Sequence, residues 1–213
     1  SGTDEHGQKR EQTSARHDES VELFVEKRSL EFSNLWESLQ IDLDVFERTS
    51  SAQHKTLVIE FWQRLRESGD IYKGHYEGLY CIECEQYFTE GDHCPVHRKP
   101  LAHYSEESYF FRLSAYQQKL IDHIESHPGF IVPDSRRNEV LSFLKGTKLH
   151  DLSISRTSTS WGIQVPDDPR HVIYVWVDAL ATYLSAIGPL GSRKFEEYWP
   201  NTTHFIGKDI LIF

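Results

Sequence analysis

The three cysteines of this 213-residue chain fall within fourteen positions, as Cys81-Ile-Glu-Cys84 and Cys94-Pro-Val-His97. Two short-spaced ligand pairs joined by a small loop suit a tetrahedral ion, each pair gripping one edge from a tight turn. Gly91 and Pro95 supply turn chemistry between and within the pairs. Three thiolates and a neutral imidazole favour Zn²⁺, and iron fits the same softness argument. His93 is the rival fourth ligand, but it adjoins Cys94, and adjacent side chains rarely aim at one ion. Cys81, Cys84, Cys94 and His97 are therefore the expected ligands. With no open coordination position the ion is expected to be structural, tying down a segment too small to build its own core. Clustered, odd-numbered cysteines also argue against a disulfide framework and for a reducing compartment.

Two further clusters put charge into glycine-bounded turns. Thr3-Asp4-Glu5-His6-Gly7 packs two carboxylates and an imidazole, and Gly207-Lys208-Asp209 follows a strand-like stretch at 204–206. In open α/β sheets ligands bind beyond the carboxyl ends of strands. Glycine allows close backbone approach, lysine can meet phosphate, and an aspartate can take ribose hydroxyls. Each cluster by itself reads more readily as a solvated turn than as a site. Between them lies Tyr174-Val-Trp176-Val-Asp178-Ala-Leu-Ala-Thr-Tyr183. Here a strand is expected to run into a helix at Asp178, a residue suited to the N-cap. Spacings of three and four put Trp176, Ala179, Leu180 and Tyr183 on one helical face. Plain core packing explains such a stripe as well as a binding wall does.

The elements that must position these residues follow from periodicity. Apolar residues recur at helical spacing over 14–39 and again over 51–68, where Ser50 or Ser51 can cap the start and Gly69 the end. Residues 71–111 break into short aromatic-rich stretches and predict a strand-rich insert around the cysteines. Helical spacing returns at 115–126 and 135–145. Strand signals follow at 152–154 and 172–177, then a helix at 179–187 stopped by Gly188, then a short strand at 204–206. The expected architecture is an α/β body interrupted by a compact β-rich insert. Its parts are residues 1–68, an insertion over 69–150, and 151–213.

Composition sets limits on function. Lys plus Arg is 23 against 33 Asp plus Glu, a net charge of −10. Such a chain is not a general polyanion binder, so any nucleic-acid contact is expected through a local patch or for catalysis. The apolar fraction of 38% supports a packed core, and no apolar run approaches the roughly 20 residues of a membrane-spanning helix. Residues 1–7 carry no secretory signal. The chain contains no Met, not even at position 1, as expected of a fragment or a processed product.

The motifs occur in a specific order: Gly-Thr-Asp-Glu-His-Gly at 2–7, Tyr-Lys-Gly-His-Tyr-Glu-Gly at 72–78, the cysteine knuckle, and Glu-Ser-Tyr-Phe-Phe-Arg at 107–112. Asp-Leu-Ser-Ile-Ser-Arg at 151–156, Trp-Gly-Ile at 161–163, Val-Ile-Tyr-Val-Trp-Val-Asp-Ala-Leu at 172–180 and His-Phe-Ile-Gly-Lys-Asp-Ile at 204–210 complete it. Over nearly its whole length the chain resembles the catalytic region of the methionyl-tRNA synthetases, class I aminoacyl-tRNA synthetases.

The resemblance implies a Rossmann-like catalytic domain split by a zinc-binding connective insertion. It implies cytoplasmic, ATP-dependent activation of methionine, with Mg²⁺ accompanying ATP, and transfer to tRNA(Met). By position, Asp4 corresponds to the aspartate that receives the substrate ammonium. Trp176, Ala179, Leu180, Tyr183 and Ile210 correspond to the pocket around the thioether. Arg156 corresponds to the catalytic arginine of a Ser-Arg motif, and Gly207, Lys208 and Asp209 to the nucleotide contacts. A thioether offers only a weak acceptor, so its recognition must rest on shape and polarizable aromatic contact. The family's His-Ile-Gly-His and Lys-Met-Ser-Lys-Ser motifs, a pocket histidine expected just after Phe213 and the anticodon-binding domain do not occur in these 213 residues. A non-catalytic zinc-containing interaction module on the same fold is the alternative. Synthetases for leucine, valine or isoleucine carry larger editing insertions than the one here.

Overall fold

A computed structural model describes all residues except 85, 89, 90, 209, 212 and 213, and the side chains of 86, 87 and 104. The chain opens with β1 (Gly2–Thr3), α1 (Gln8–Arg16), α2 (Val21–Ser38) and β2 (Glu47–Arg48). β1 and β2 pair in parallel, Gly2 opposite Glu47 and Thr3 opposite Arg48. Parallel strands need a crossover, and the two helices supply it. A side chain at Gly2 would put its Cβ 2.0 Å from the Glu47 carbonyl oxygen, so this approach requires glycine.

The single helix expected at 14–39 is two helices. Asp18 takes a positive φ of 54°, and the Ser20 side chain accepts from the Leu23 amide to start α2. α1 lacks an apolar stripe, and its buried residue is Ser14, so periodicity could not reveal it. α3 (Ala52–Glu67) begins as expected at Ser51, whose side chain accepts from the His54 amide.

β3 (Ile71–Cys81), β4 (Gln86–Phe88) and β5 (Ala102–Phe111) form the strand-rich segment. β3 and β5 run antiparallel in unbroken register from Ile71–Phe111 to Tyr80–Ala102. A 3₁₀ turn (Leu113–Tyr116) leads to α4 (Gln117–Ser126) and α5 (Asp134–Gly146). Ile121, Ile124, Val140, Leu141 and Leu144 form a small core of their own between these helices. β6 (Leu152–Ser153) then joins β5, and β7 (Ser155–Arg156), β8 (Gln164–Val165) and β9 (Asp168–Ile173) make a second antiparallel sheet. The main core gathers Leu57, Val58 and Trp62 of α3 with Ile71, Ile154, Ile163, Val165, Ile173 and Ala181.

α6 (Val175–Leu180), α7 (Thr182–Ser185) and α8 (Arg193–Tyr198), followed by a 3₁₀ turn (Trp199–Asn201), complete the described elements. The strand expected over 172–177 ends at Ile173 and the helix starts at Val175, capped by Tyr174. The run Val-Ile-Tyr-Val-Trp-Val favours a strand by propensity, but ladder partners reach only to Ile173. The strand expected at 204–206 does not form. These residues have no ladder neighbour among the described residues, and Phe205 is 94% exposed. No helix of the described residues is long and apolar enough to cross a membrane.

Candidate active site and metal-binding knuckle

The segment 2–7 is clamped from several sides. Glu5 is buried, and its carboxylate accepts from Arg48 Nε at 2.8 Å and from the Thr3 hydroxyl at 2.7 Å, with Ser50 also donating. The Glu5 amide donates to Thr49 Oγ1 at 2.9 Å, and Trp161 Nε1 donates to the Glu5 carbonyl at 2.6 Å. Burial opposes ionisation of Glu5, but the bonds from Arg48, Ser50 and Thr3 prevail and hold it below the ordinary carboxylate range. Gly7 takes a φ of 102°, and its amide donates to the Trp161 carbonyl at 3.2 Å. Asp4 faces outward, with Arg10 Nη2 at 3.5 Å from Oδ2. The two neighbouring carboxylates therefore point different ways, one into the protein and one to its surface.

Behind this segment three buried polar residues from distant parts of the sequence meet. Asp178 Oδ2 lies 2.6 Å from His6 Nδ1, and Asp178 Oδ1 lies 2.6 Å from His54 Nε2. His54 Nδ1 lies 2.8 Å from the Ser185 hydroxyl. Burial opposes the Asp178 charge, yet the bonds to His54 and His6 hold its carboxyl below the ordinary range. Asp178 is thus not the N-cap expected from the sequence. It sits inside α6 and fastens that helix to the 2–7 segment and to α3. Sequence reasoning missed His54. The available signal was its place on the buried stripe with Leu57, Val58 and Trp62.

The opposite face of α6 and α7 carries the expected wall. Val175, Asp178, Ala181 and Ser185 are buried, whereas Trp176 and Ala179 are half-buried and Leu180 and Tyr183 are 46% and 42% exposed. The stripe is therefore surface rather than core. His204 adds to it, its ring edge-on to Tyr183 at 4.8 Å and to Trp199 at 5.6 Å. Ile210 and Lys208 are exposed, and the Ile210 amide donates to the Gly207 carbonyl at 3.0 Å in a tight turn. Asp209 lies outside the described residues.

Arg156 is buried in β7. Its guanidinium lies over the Tyr174 ring at 3.9 Å and near the Tyr80 ring at 5.7 Å, while Nη1 donates to the Ser155 carbonyl at 2.7 Å. It lines a small cavity with Gly7, Tyr80, Trp161 and Tyr174. That places it beside the 2–7 segment. The apolar wall of Leu180 and Tyr183 is not among the residues lining this cavity.

The knuckle assembles as its spacing predicts. Sγ of Cys81, Cys84 and Cys94 and a nitrogen of His97 all lie within 4.8 Å of one another. Cys84 and Cys94 sulfurs are 3.3 Å apart, and His97 Nδ1 is 3.8, 3.3 and 3.7 Å from Cys81, Cys84 and Cys94. A zinc tetrahedron with ordinary bond lengths has edges of about 3.6–3.8 Å, so the donor set fits the ion. The His97 amide donates to Cys94 Sγ at 3.4 Å. Although burial opposes it, that bond and the contact with Cys84 hold the Cys94 thiol down at about 6, so a thiolate is ready for a cation. A second cluster of possible metal ligands, Glu107 and Asp168 beside His171, is filled by Lys73 Nζ at 2.8 Å from both carboxylates. Tyr80, whose ring lies near the Arg156 guanidinium, directly precedes the first knuckle cysteine, Cys81.

The sequence profile of the family described as "tRNA synthetases class I (M)" matches residues 1–103 and 92–213. The methionine–tRNA ligase of Caldanaerobacter subterraneus subsp. tengcongensis is 45% identical over all of this chain, which covers 34% of that protein. The Streptomyces coelicolor methionine–tRNA ligase is 46% identical over all of the chain and is 42% covered. A crystal structure of Mycobacterium tuberculosis methionyl-tRNA synthetase bound by methionyl-adenylate superposes with a TM-score of 0.93 at 44% identity, over 99% of this chain and 43% of that one. Its free-state structure gives 0.80 over 90% of this chain and 40% of that one. The chain thus spans well under half the length of these relatives. The mixed α/β fold, the matched profile and this degree of identity show that the chain belongs to the class I (M) tRNA synthetase family.

Proposed function

We propose that the protein to which this chain belongs is a methionine–tRNA ligase. The observation that carries the reading is the close superposition on a relative holding methionyl-adenylate. In the first step a methionine carboxylate oxygen attacks the α-phosphorus of ATP, supplied with Mg²⁺, and pyrophosphate leaves. In the second, a ribose hydroxyl at the end of tRNA(Met) attacks the activated carbonyl, and AMP leaves. Neither step needs a covalent enzyme intermediate, so the protein's task is positioning and charge stabilisation.

On this reading Asp4, exposed on a rigid turn, receives the ammonium group of methionine. Trp176, Ala179, Leu180, Tyr183 and Ile210 face its thioether. Arg156, fixed by its bonds to Ser153 and Ser155, supplies positive charge beside the reacting groups. Gly207, Lys208 and Asp209 meet the nucleotide. Cys81, Cys84, Cys94 and His97 hold Zn²⁺, which stabilises the local fold of the 69–150 insertion. The test is methionine-dependent exchange of pyrophosphate into ATP by the whole protein. Exchange with methionine and not with leucine, isoleucine or valine supports the reading. No exchange with any amino acid overturns it and leaves a zinc-containing interaction module.

A further inference from the structure

His6, His54 and Asp178 come from a loop, the first turn of α3 and the middle of α6, yet all three are buried against one another. Each oxygen of the Asp178 carboxylate faces a different imidazole at 2.6 Å. Both of its directions are therefore committed, and the carboxylate cannot rotate without breaking a charge-assisted bond. The network continues outward on both sides. His54 reaches the Ser185 hydroxyl at 2.8 Å, and Gln53 Nε2 donates to the Ser185 carbonyl at 2.8 Å. The His6 ring meets Trp161 edge-on at 5.4 Å, and Trp161 in turn holds the Glu5 carbonyl.

Three members of this network, His6, Asp178 and Ser185, each lie two residues from a group assigned above to the amino acid. Asp4 precedes His6, Trp176 precedes Asp178, and Tyr183 precedes Ser185. The ammonium end and the side-chain end of the substrate thus rest on opposite ends of one buried hydrogen-bonded unit. Apolar packing is non-directional and permits small sliding movements. Two short bonds to a buried carboxylate fix a distance.

We propose that Asp178, acting through His6 and His54, is a positioning residue for amino-acid specificity. It sets the span between the ammonium-binding Asp4 and the aromatic wall, and so admits an unbranched thioether of methionine's length. This inference rests on the ligase reading and deepens it. A pocket of fixed span distinguishes substrates that differ by one methylene by about 10–200-fold. A pocket whose two ends move relative to each other loses that discrimination first.

The experiment compares methionine with ethionine, one methylene longer, in pyrophosphate exchange by the full-length protein and its Asp178→Asn and Ser185→Ala variants. In Asp178→Asn the ratio of kcat/KM for methionine over ethionine is expected to fall at least fivefold. The methionine KM rises, and the KM for ATP stays within about twofold. Ser185→Ala, which removes one hydroxyl at the edge of the network, shows a smaller fall in the same direction. A merely structural role lowers the amount of active enzyme, and that quantity cancels in the ratio. An unchanged ratio in a folded Asp178→Asn variant overturns the inference. If that variant does not fold, an unchanged ratio in Ser185→Ala overturns it. An unmutated protein without methionine-dependent exchange sinks the ligase reading instead, which is a different result.

Discussion

Arg48 Nε donates to Glu5 Oε1 at 2.8 Å, and Arg48 Nη2 donates to Glu5 Oε2 at 3.1 Å, a two-pronged pair that joins the first segment of the chain to β2. The buried partner is Glu5, with 2% of its side chain exposed against 32% for Arg48. Glu5 is therefore a structural carboxylate, while its neighbour Asp4 is a surface one. Adjacent residues of the same charge thus sit in different surroundings, and on the proposed reading variants at the two positions should fail by different routes.

The first prediction separates those routes. Asp4→Ala should keep the melting temperature within a few degrees and lose adenylate formation by 30-fold or more. Removing one member of a desolvated carboxylate–ammonium pair costs roughly 2–5 kcal/mol. Glu5→Ala leaves Arg48 without its partner and should lower thermal stability clearly, at the lower end of roughly 3–5 kcal/mol because Arg48 is partly solvated. Glu5 carries the same charge as Asp4, but its burial makes it a structural residue rather than a quiet control. Equal activity losses at matched stability in the two variants would remove the special role of Asp4.

Acid sensitivity follows from the same residues. Glu5 and Asp178 are both held below their ordinary values in the folded state. A carboxyl depressed on folding contributes stability that is fully present above its unfolded value and is lost as pH falls through its folded value. The window therefore opens near the ordinary values of 4.5 for Glu5 and 3.8 for Asp178 and extends below them. Urea unfolding midpoints should fall as the pH drops below about 4.5, where Glu5 and then Asp178 lose this contribution. Glu5→Gln should start lower and lose less over that acid range. A wild-type midpoint that rises below pH 4.5 would contradict the network.

The sequence revealed local chemistry better than long-range contacts. The knuckle was legible because all its ligands lie within a short stretch whose turns are encoded locally. The exposed stripe of Trp176, Ala179, Leu180 and Tyr183 was legible as a stripe, but its exposure was not, since periodicity does not say what covers a face. The His6–Asp178–His54 unit was invisible because its members are 124 and 172 residues apart. α1 was missed because it lacks an apolar face. The strand expected at 204–206 failed because a β-branched or aromatic run needs a ladder partner, and none is present among the described residues.

The knuckle should bind about one zinc per chain, and its loss should be felt beyond it. Tyr80 adjoins Cys81 and lies 5.7 Å from the Arg156 guanidinium. Cys84→Ser should reduce zinc content to near zero and expose the remaining thiols to titration. It should also lower the exchange rate several-fold, because the Tyr80 ring loses its anchor beside Arg156. Metal analysis and thiol counting on the same preparation check the first part. Full activity in a zinc-free preparation would show that the knuckle is independent of Arg156.

The aromatic wall gives the last prediction. Tyr183 is nearly half exposed and Trp176 half-buried, so neither ring is a keystone of the core. Tyr183→Ala should therefore cost about 1 kcal/mol or less in stability, as most surface substitutions do. On the proposed reading the same change removes an aromatic face from the ligand, along with the edge-on partner of His204 at 4.8 Å. Truncating an aromatic that packs on a bound side chain costs on the order of 2–4 kcal/mol in binding. The methionine KM should rise 30-fold or more in Tyr183→Ala and in Trp176→Ala, with the KM for ATP nearly unchanged. Tyr183→Phe keeps the ring and should recover most of the loss, because the thioether offers only a weak acceptor to a hydroxyl. Unchanged methionine kinetics in both alanine variants would move the side-chain site off this face, and a parallel rise in the KM for ATP would mean that α6 and α7 shape the nucleotide end instead.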